Sequence, residues 1–239
     1  MSDFSLWALI LVVCGLSYVL LSLLWSTWRL GIGPTTSGLR ARQDIAHLAA
    51  DLVLEQPFNQ VIALDSLSSA TQKSAPKTQY IYELGSGWGG LSFYLAKTLK
   101  SYLAKVEEVE QLQILIKGYE LAQVPYVSAK IIQNLRQVLS FSLQNKQATK
   151  EQATSSAKIS LDFIQQDFIT ELDQVEAGAV LIAYLCPKQM ERIAEALRQR
   201  DKPIGAYLIS LTFALPGYQA RQTKRVANLF RDPLYLYLI

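Results

Sequence analysis

The sequence predicts an α/β fold: a mostly parallel sheet of seven strands, preceded by one long apolar helix and closed by an antiparallel hairpin. Three observations carry that expectation. Residues 4–28 form an unbroken apolar segment, apolar runs of strand length alternate with helical periodicity from residue 79 onward, and a glycine-dense turn, LGSGWGG, joins the first run to the next helix. The chain has 239 residues, is half hydrophobic and only 18% charged, where about a quarter is usual for a soluble domain. This composition excludes a disordered chain, a collagen-like fibre and a small disulfide scaffold.

The charge deficit is concentrated at the start. Between Asp3 and Arg29 there is no Lys, Arg, Asp, Glu or His. As a helix these residues reach roughly 37 Å, against a hydrocarbon core of about 30 Å. Trp7, Trp25 and Trp28 lie near its ends, where amphipathic rings favour the headgroup zone. A secretory signal fits less well: no basic residue precedes the apolar run, the run is too long, and no small-x-small cleavage site closes it just before Arg29. Arg29, Arg40 and Arg42 follow the segment, so the positive-inside rule predicts a single-pass membrane protein whose C-terminal domain is cytoplasmic. Residues 4–28 would be the contact with the lipid bilayer.

The cysteines agree with that compartment. There are two, Cys14 within the span and Cys186 far from it, so the sequence offers neither a disulfide framework nor a metal cluster, and no metal ligand is expected. A net charge of +3 is too small to predict a nucleic-acid partner but suits a position beside an anionic membrane.

Gly31, Gly33 and Pro34 break the first helix, and Thr36 or Ser37 is placed to cap a second. Over 39–54 the apolar positions recur at three and four, which predicts an amphipathic helix packed on the following domain and ended by Pro57. His47, the only histidine, lies on this helix and reads as a partly exposed side chain. The domain organisation is then an anchor over 1–30, a connecting helix over 31–56, a flexible loop over 57–78 and a catalytic domain over 79–239. Strands are expected near 79–84, 113–119, 159–165, 179–185 and 205–213, with helices near 89–109, 125–143 and 187–199. The polar stretch 144–157 reads as a loop or frayed helix end. Two last strands, near 224–230 and 234–239, join through Arg231-Asp232-Pro233.

The chemistry-bearing motif is YIYELGSGWGGLSFYLAK, residues 80–97. A strand ends at Glu83-Leu84, a glycine turn follows, and a helix begins. Such a turn brings the backbone close to a ligand, and the helix N-terminus offers free N–H groups and partial positive charge. Gly85, Gly87 and Gly90 satisfy the G-x-G-x-x-G spacing of a dinucleotide site. Glu83 points elsewhere. A pyrophosphate repels a nearby carboxylate, whereas S-adenosylmethionine carries a cationic sulfonium and an α-ammonium that attract one. A charge-assisted hydrogen bond to such a group contributes about 1.5–3 kcal/mol.

Glu120 ends the second strand, where an acid accepts hydrogen bonds from ribose hydroxyls in either ligand class. It falls 30 residues after Gly90, a late position that fits a first helix extended through residues 105–110. Asp167-Phe168 follows the third strand; the acid suits an adenine amino group and the ring suits its face. Tyr184 follows the fourth strand at the edge where reacting groups gather in such folds, facing a transferred methyl. Cys186 lies in the same turn with nothing in the sequence to activate it.

Taken together these residues resemble the class I S-adenosylmethionine-dependent methyltransferases. They resemble most the small membrane-anchored group that includes the lysine methyltransferases of the ATP synthase c subunit and the adenine nucleotide translocase. The likeness runs from the apolar N-terminal segment through the motif at 83–89, GYEL at 118–121, QQDF at 165–168, YLCP at 184–187, LISLTFALPGY at 208–218 and LYLYLI at 234–239. It implies a Rossmann-like seven-stranded sheet with an antiparallel last strand, and S-adenosyl-L-methionine as cofactor. It also implies that Glu83, Gly85 and Gly87 hold the methionine part, Glu120 the ribose and Asp167 the adenine. Relatives often carry an acid, a glycine and a basic residue after the second glycine, where this chain has Trp88, Gly89 and Gly90. The acceptor expected is a lysine of a membrane protein, or else a membrane-associated small molecule. A nicotinamide-dependent oxidoreductase and a non-catalytic tethered module with the same fold stay open at this point.

Overall fold

A computed structural model describes residues 3–30, 37–64, 77–104, 112–147 and 158–239. Its elements are α1 (Asp3–Leu30), α2 (Leu39–Leu64), β1 (Lys77–Leu84), α3 (Gly90–Leu103), β2 (Leu112–Tyr119), α4 (Gln123–Gln147) and β3 (Lys158–Ile164). A 3-10 segment (Phe168–Gln174), β4 (Val180–Ala183), α5 (Pro187–Arg198), β5 (Tyr207–Leu211), β6 (Gln222–Arg225) and β7 (Pro233–Leu238) follow. The strands form one seven-stranded sheet in the order β3-β2-β1-β4-β5-β7-β6. The first five run parallel, and β7 is antiparallel to both β5 and β6. This is the expected Rossmann-like α/β architecture, with the hairpin at its end and the apolar helix before it.

Central strands buried on both faces need continuous apolar sequence, and β4, VLIA, is buried throughout. One face carries α2 and α3: Ile45, Ala49 and Val53 pack with Leu91, Leu95 and Leu99 over Ile81, Ile114 and Ile182. The other face carries α5 and the 3-10 segment, with Met190, Ile193, Leu197, Phe168 and Leu172 over Leu84, Leu181 and Leu208. A helix after β3 would cover β1 and β2 on this second face, and among the described residues only the 3-10 segment lies between β3 and β4. Tyr80 and Tyr82 stack at 6.1 Å, with Lys117 Nζ 5.3 and 5.4 Å from their ring centres, and these side chains form the cover instead.

Several element boundaries differ from those the sequence predicts. α2 runs through Pro57 to Leu64. A proline removes one hydrogen bond and adds a clash, about 3 kcal/mol, but leaves φ in the helical range, and the buried turns from Ala41 to Val53 hold the helix on either account. β1 starts at Lys77, so 77–78 are strand; residues 65–76 lie outside the described part, as do 105–111 and 148–157. α3 ends at Leu103, before the expected 109, and α4 continues to Gln147. β6 occupies 222–225 rather than 224–230. Among the described residues it pairs with β7 alone and exposes all four side chains, so it has no apolar alternation to read; residues 226–230 belong to the connection. His47 is exposed, with its ring 5.6 Å from Tyr102 in an edge contact.

Phe163, on β3, is buried beneath the glycine turn. A Cβ on Gly89 would lie 2.5 Å from its Cζ, and one on Gly118 2.7 Å from its Cδ1. Its ring meets Phe93 edge-on at 5.4 Å. Gly89 also has φ +74°. Left-handed backbone costs a non-glycine residue roughly 1–2 kcal/mol and overpacking about 1–3 kcal/mol. Gly89→Ala is therefore expected to destabilise the protein by about 2–5 kcal/mol in urea unfolding; an unchanged midpoint would contradict this packing.

Candidate cofactor site

In doubly wound sheets ligands bind beyond the carboxyl ends of the strands where the strand order reverses. Here the order reverses between β1 and β4, whose last register pair is Leu84 and Ala183. The glycine turn lies at that point. Gly85 and Ser86 donate their N–H groups to Tyr119 O at 2.9 and 2.8 Å, and Gly89 N donates to Ser86 O at 2.9 Å. These bonds tie the turn to the end of β2.

Neighbouring side chains close most of the turn. A Cβ on Gly85 would sit 2.7 Å from Leu185 Cδ2, Gly89 is closed by Phe163, and a Cβ on Gly90 would lie 2.9 Å from an Arg42 guanidinium nitrogen. Gly87 differs, because no described residue lies within 4 Å of its would-be Cβ. It is glycine for its φ of +53°, and it leaves open space on the side where a ligand approaches.

Two buried carboxyl groups flank this opening. Glu120 accepts from Gly87 N at 2.8 Å through one oxygen and from Ala122 N at 2.7 Å through the other. It therefore bridges the glycine turn and the start of α4. Burial raises its pKa against the opposing pull of those N–H bonds. Glu83 accepts from Ser92 N at 3.0 Å and from the Ser92 hydroxyl, both on the first turn of α3. Burial pushes the Glu83 carboxyl up to about 8 despite the Ser92 bonds; the Glu120 charge adds to the rise, and Arg42 opposes it. Among the described residues Ser86 Oγ is buried with no hydrogen-bond partner.

The other residues that the sequence singles out divide between the two sheet faces. Tyr184 is half-buried against the α2–α3 core, on the face shared by Ile81 and Glu83, and stands one residue past the last β1–β4 pair. Asp167 lies on the opposite side as the cap of the 3-10 segment. Its Oδ1 accepts from Ile169 N at 3.1 Å and its Oδ2 pairs with Arg192 at 2.6 Å. Phe168 is buried in the second core, so its ring is committed to packing. Cys186 is buried and precedes α5, with Pro187 as the first helical residue.

Arg42 and Ser92 carry no signal as site residues in the sequence. Arg42 reads there only as a flanking charge and lies 41 residues before Glu83; α2 brings it to Gly90, where its Nε also donates to Ser37 Oγ at 3.2 Å. Ser92 is one position of an ordinary helix start. Two surface cavities, of about 170 and 230 Å³, lie away from the turn, one between α2 and the β6–β7 hairpin and one beside the C-terminus. Among the described residues no group of three or more His, Cys, Asp or Glu is placed to hold a metal ion.

No protein-family model and no curated protein sequence matches the chain. Among solved structures it is similar to the METTL16 MTase domain, at 11% identity and TM-score 0.46, over 90% of this chain and 76% of that one. It is also similar to a human methyltransferase 10 domain containing protein, at 11% identity and TM-score 0.44, over 90% and 93%. A precorrin 8w decarboxylase of Methanobacterium thermoautotrophicum matches at 11% identity and TM-score 0.40, over 86% and 92%.

The buried Glu83 makes stability depend on pH. Folded, its carboxyl titrates near 8 rather than 4.5, so between those values the folded chain holds a proton that the unfolded chain has lost. Stability therefore falls as pH rises from about 4.5 to about 8, by a few kcal/mol in order of magnitude. Glu83→Gln is expected to flatten that slope in urea unfolding at a series of pH values. A slope identical to that of the parent protein would contradict the burial of an ionisable group there.

Proposed function

We propose that the chain is a membrane-anchored S-adenosylmethionine-dependent methyltransferase that methylates a lysine of a membrane protein. The observation that carries the reading is the pair of buried carboxyl groups, Glu83 and Glu120, on either side of the open glycine turn. Glu83 at this point opposes a pyrophosphate and favours a ligand with an ammonium and a sulfonium, which argues against the nicotinamide oxidoreductase, while Glu120 suits the ribose hydroxyls that either ligand carries. The residues fit that ligand. Both Ser92 bonds fall on one Glu83 oxygen, which leaves the lone pairs of the other to a ligand. Glu120 meets Gly87 and Ala122 through different oxygens, the Ser86 hydroxyl lacks a partner among the described residues, and Arg42 supplies a cation for the α-carboxylate.

When bound, S-adenosylmethionine supplies an electrophilic methyl group whose departure needs no acid, since sulfur leaves as a neutral thioether. The protein's part is alignment and exclusion of water. Glu83 and the turn around Gly85 and Gly87 hold the methionine part, and Glu120 holds the ribose. Asp167 takes the adenine amino group in competition with Arg192; Phe168, buried in the core, contributes packing behind it. Tyr184 orients the incoming amine. A lysine with an ordinary pKa near 10.4 is neutral only about once in a few thousand at pH 7, so an apolar approach that lowers this pKa helps more than a strong base.

The anchor supports the choice of acceptor. Leu6–Trp25, within α1, is long and apolar enough to cross a membrane, and none of it is buried in the protein. The basic residues after it favour a single-pass orientation with the domain over 79–239 in the cytoplasm, and tethering raises the local concentration of membrane-embedded acceptors. Incubating the full chain with membranes and methyl-labelled donor is expected to label a membrane protein at lysine. Tyr184→Phe should slow that transfer by about tenfold or more. Label found only in the lipid extract would replace lysine with a small-molecule acceptor, and an unchanged rate in Tyr184→Phe would remove the role given to that hydroxyl.

A further inference from the structure

We infer that the carboxyl edge of the sheet, which holds the glycine turn, docks face-on against an anionic lipid bilayer, with the β6–β7 connection inserted as a wedge. The inference rests on the reading of α1 as a membrane span. It adds that the domain is held in one orientation, with the candidate site opening toward the lipid surface, rather than hanging free on its tether.

Four large apolar side chains stand exposed in loops at this one edge. Leu121 follows Glu120 and is 40% exposed, Phe213 follows β5 and is 37% exposed, and Leu229 and Phe230, in the β6–β7 connection, are 90% and 79% exposed. β7 starts beside the end of β5, with Leu234 opposite Leu211, so that connection lies at the same edge as the ends of the parallel strands. Adjacent exposed apolar residues on a loop, with basic neighbours, are the composition of an interfacial insertion. Arg225 and Arg231 flank the wedge, and Arg40 donates to Ala227 O. Asp232, the acid beside it, is turned inward to Asn228, which it meets at 2.6 Å. This excess of positive charge is complementary to an anionic leaflet.

The span meets the domain at the same edge. Tyr18 OH donates to Gln123 Oε1 at 3.2 Å, and Gln123 opens α4 three residues after Glu120. Tyr18 is seven residues inside Trp25, about 10 Å along the helix. An interfacial element sinks about 5–10 Å into the headgroup and acyl boundary, so contact at that depth places the edge at the membrane surface. Arg40, ten residues after the end of α1, is held at this edge as well.

The test uses the full chain in vesicles containing anionic lipid, with Cys14→Ser and an environment-sensitive fluorophore attached at Phe230→Cys or, in a second protein, at Leu135→Cys. Leu135 is exposed on the outer side of α4, away from the edge. The expected result is a blue-shifted emission at 230, quenched by brominated lipid and shielded from iodide, with position 135 open to iodide. Lipid quenching at 135 with iodide quenching at 230 would mean that the domain lies on α4, and would overturn the inference. Iodide quenching at both positions, with α1 tryptophans quenched by brominated lipid, would overturn the docking and leave the anchor standing. Tryptophans untouched by brominated lipid would overturn both. Shielding at 230 from both quenchers, with a dimeric mass, would give the edge to a second copy of the chain and overturn the lipid assignment.

Discussion

A carboxyl group removed from water must find hydrogen bonds within a few ångströms or give up its charge, and this chain buries two of them at the ends of adjacent strands. Glu120 meets the requirement with Gly87 N and Ala122 N, and Glu83 with the backbone and hydroxyl of Ser92. Both sets of donors belong to the turns that follow β1 and β2. The shape of the glycine turn, the start of α3 and the start of α4 are therefore coupled through two side chains. The raised pKa of Glu83 shows that the compensation is incomplete, a state that a cationic ligand relieves by favouring the ionised form.

The packing beneath the turn serves the same arrangement. Phe163 fills the space left by Gly89 and Gly118, so the turn rests on a ring rather than on a flexible chain. Leu185 closes Gly85 from the β4 side and Arg42 closes Gly90 from α2, leaving the opening at Gly87. On the opposite face Arg192 and Arg200 of the α5 region fix the 3-10 segment through Asp167 and Asp173. That segment is short; Phe168 and Leu172 seat it in the second core, and the two ion pairs add to that packing.

The sheet was legible in the sequence because parallel strands buried on both faces must be apolar and are separated by helices with their own period. The glycine turn and Glu83 were legible because a strand end, a cluster of glycines and an acid two residues before the first of them mark one place in the chain, whereas Glu120 comes at a late spacing and was legible only as the acid that ends the second strand. Signals that depend on distant contacts were not. Nothing near Arg42 tells that α2 carries it to Gly90, and Ser92 has no local mark. β6 is polar and exposed on every side chain, so its strand character lies only in its pairing with β7. The apolar pattern of residues 226–230 misleads for a related reason: Leu229 and Phe230 are exposed rather than packed in the core. Pro57 weakens a helix without ending it, because the core contacts that decide its fate lie upstream.

The central claim is that Glu83, at the glycine turn, selects a cationic methyl donor over a phosphate-bearing dinucleotide. Calorimetric titration of the full chain in detergent with S-adenosylmethionine, its demethylated product and the two nicotinamide redox states tests this most directly. The account predicts micromolar binding of the two methyl-cycle compounds, weakened by about tenfold or more in Glu83→Gln, and no heat from either nicotinamide. Binding of a nicotinamide that survives or strengthens in Glu83→Gln would contradict it.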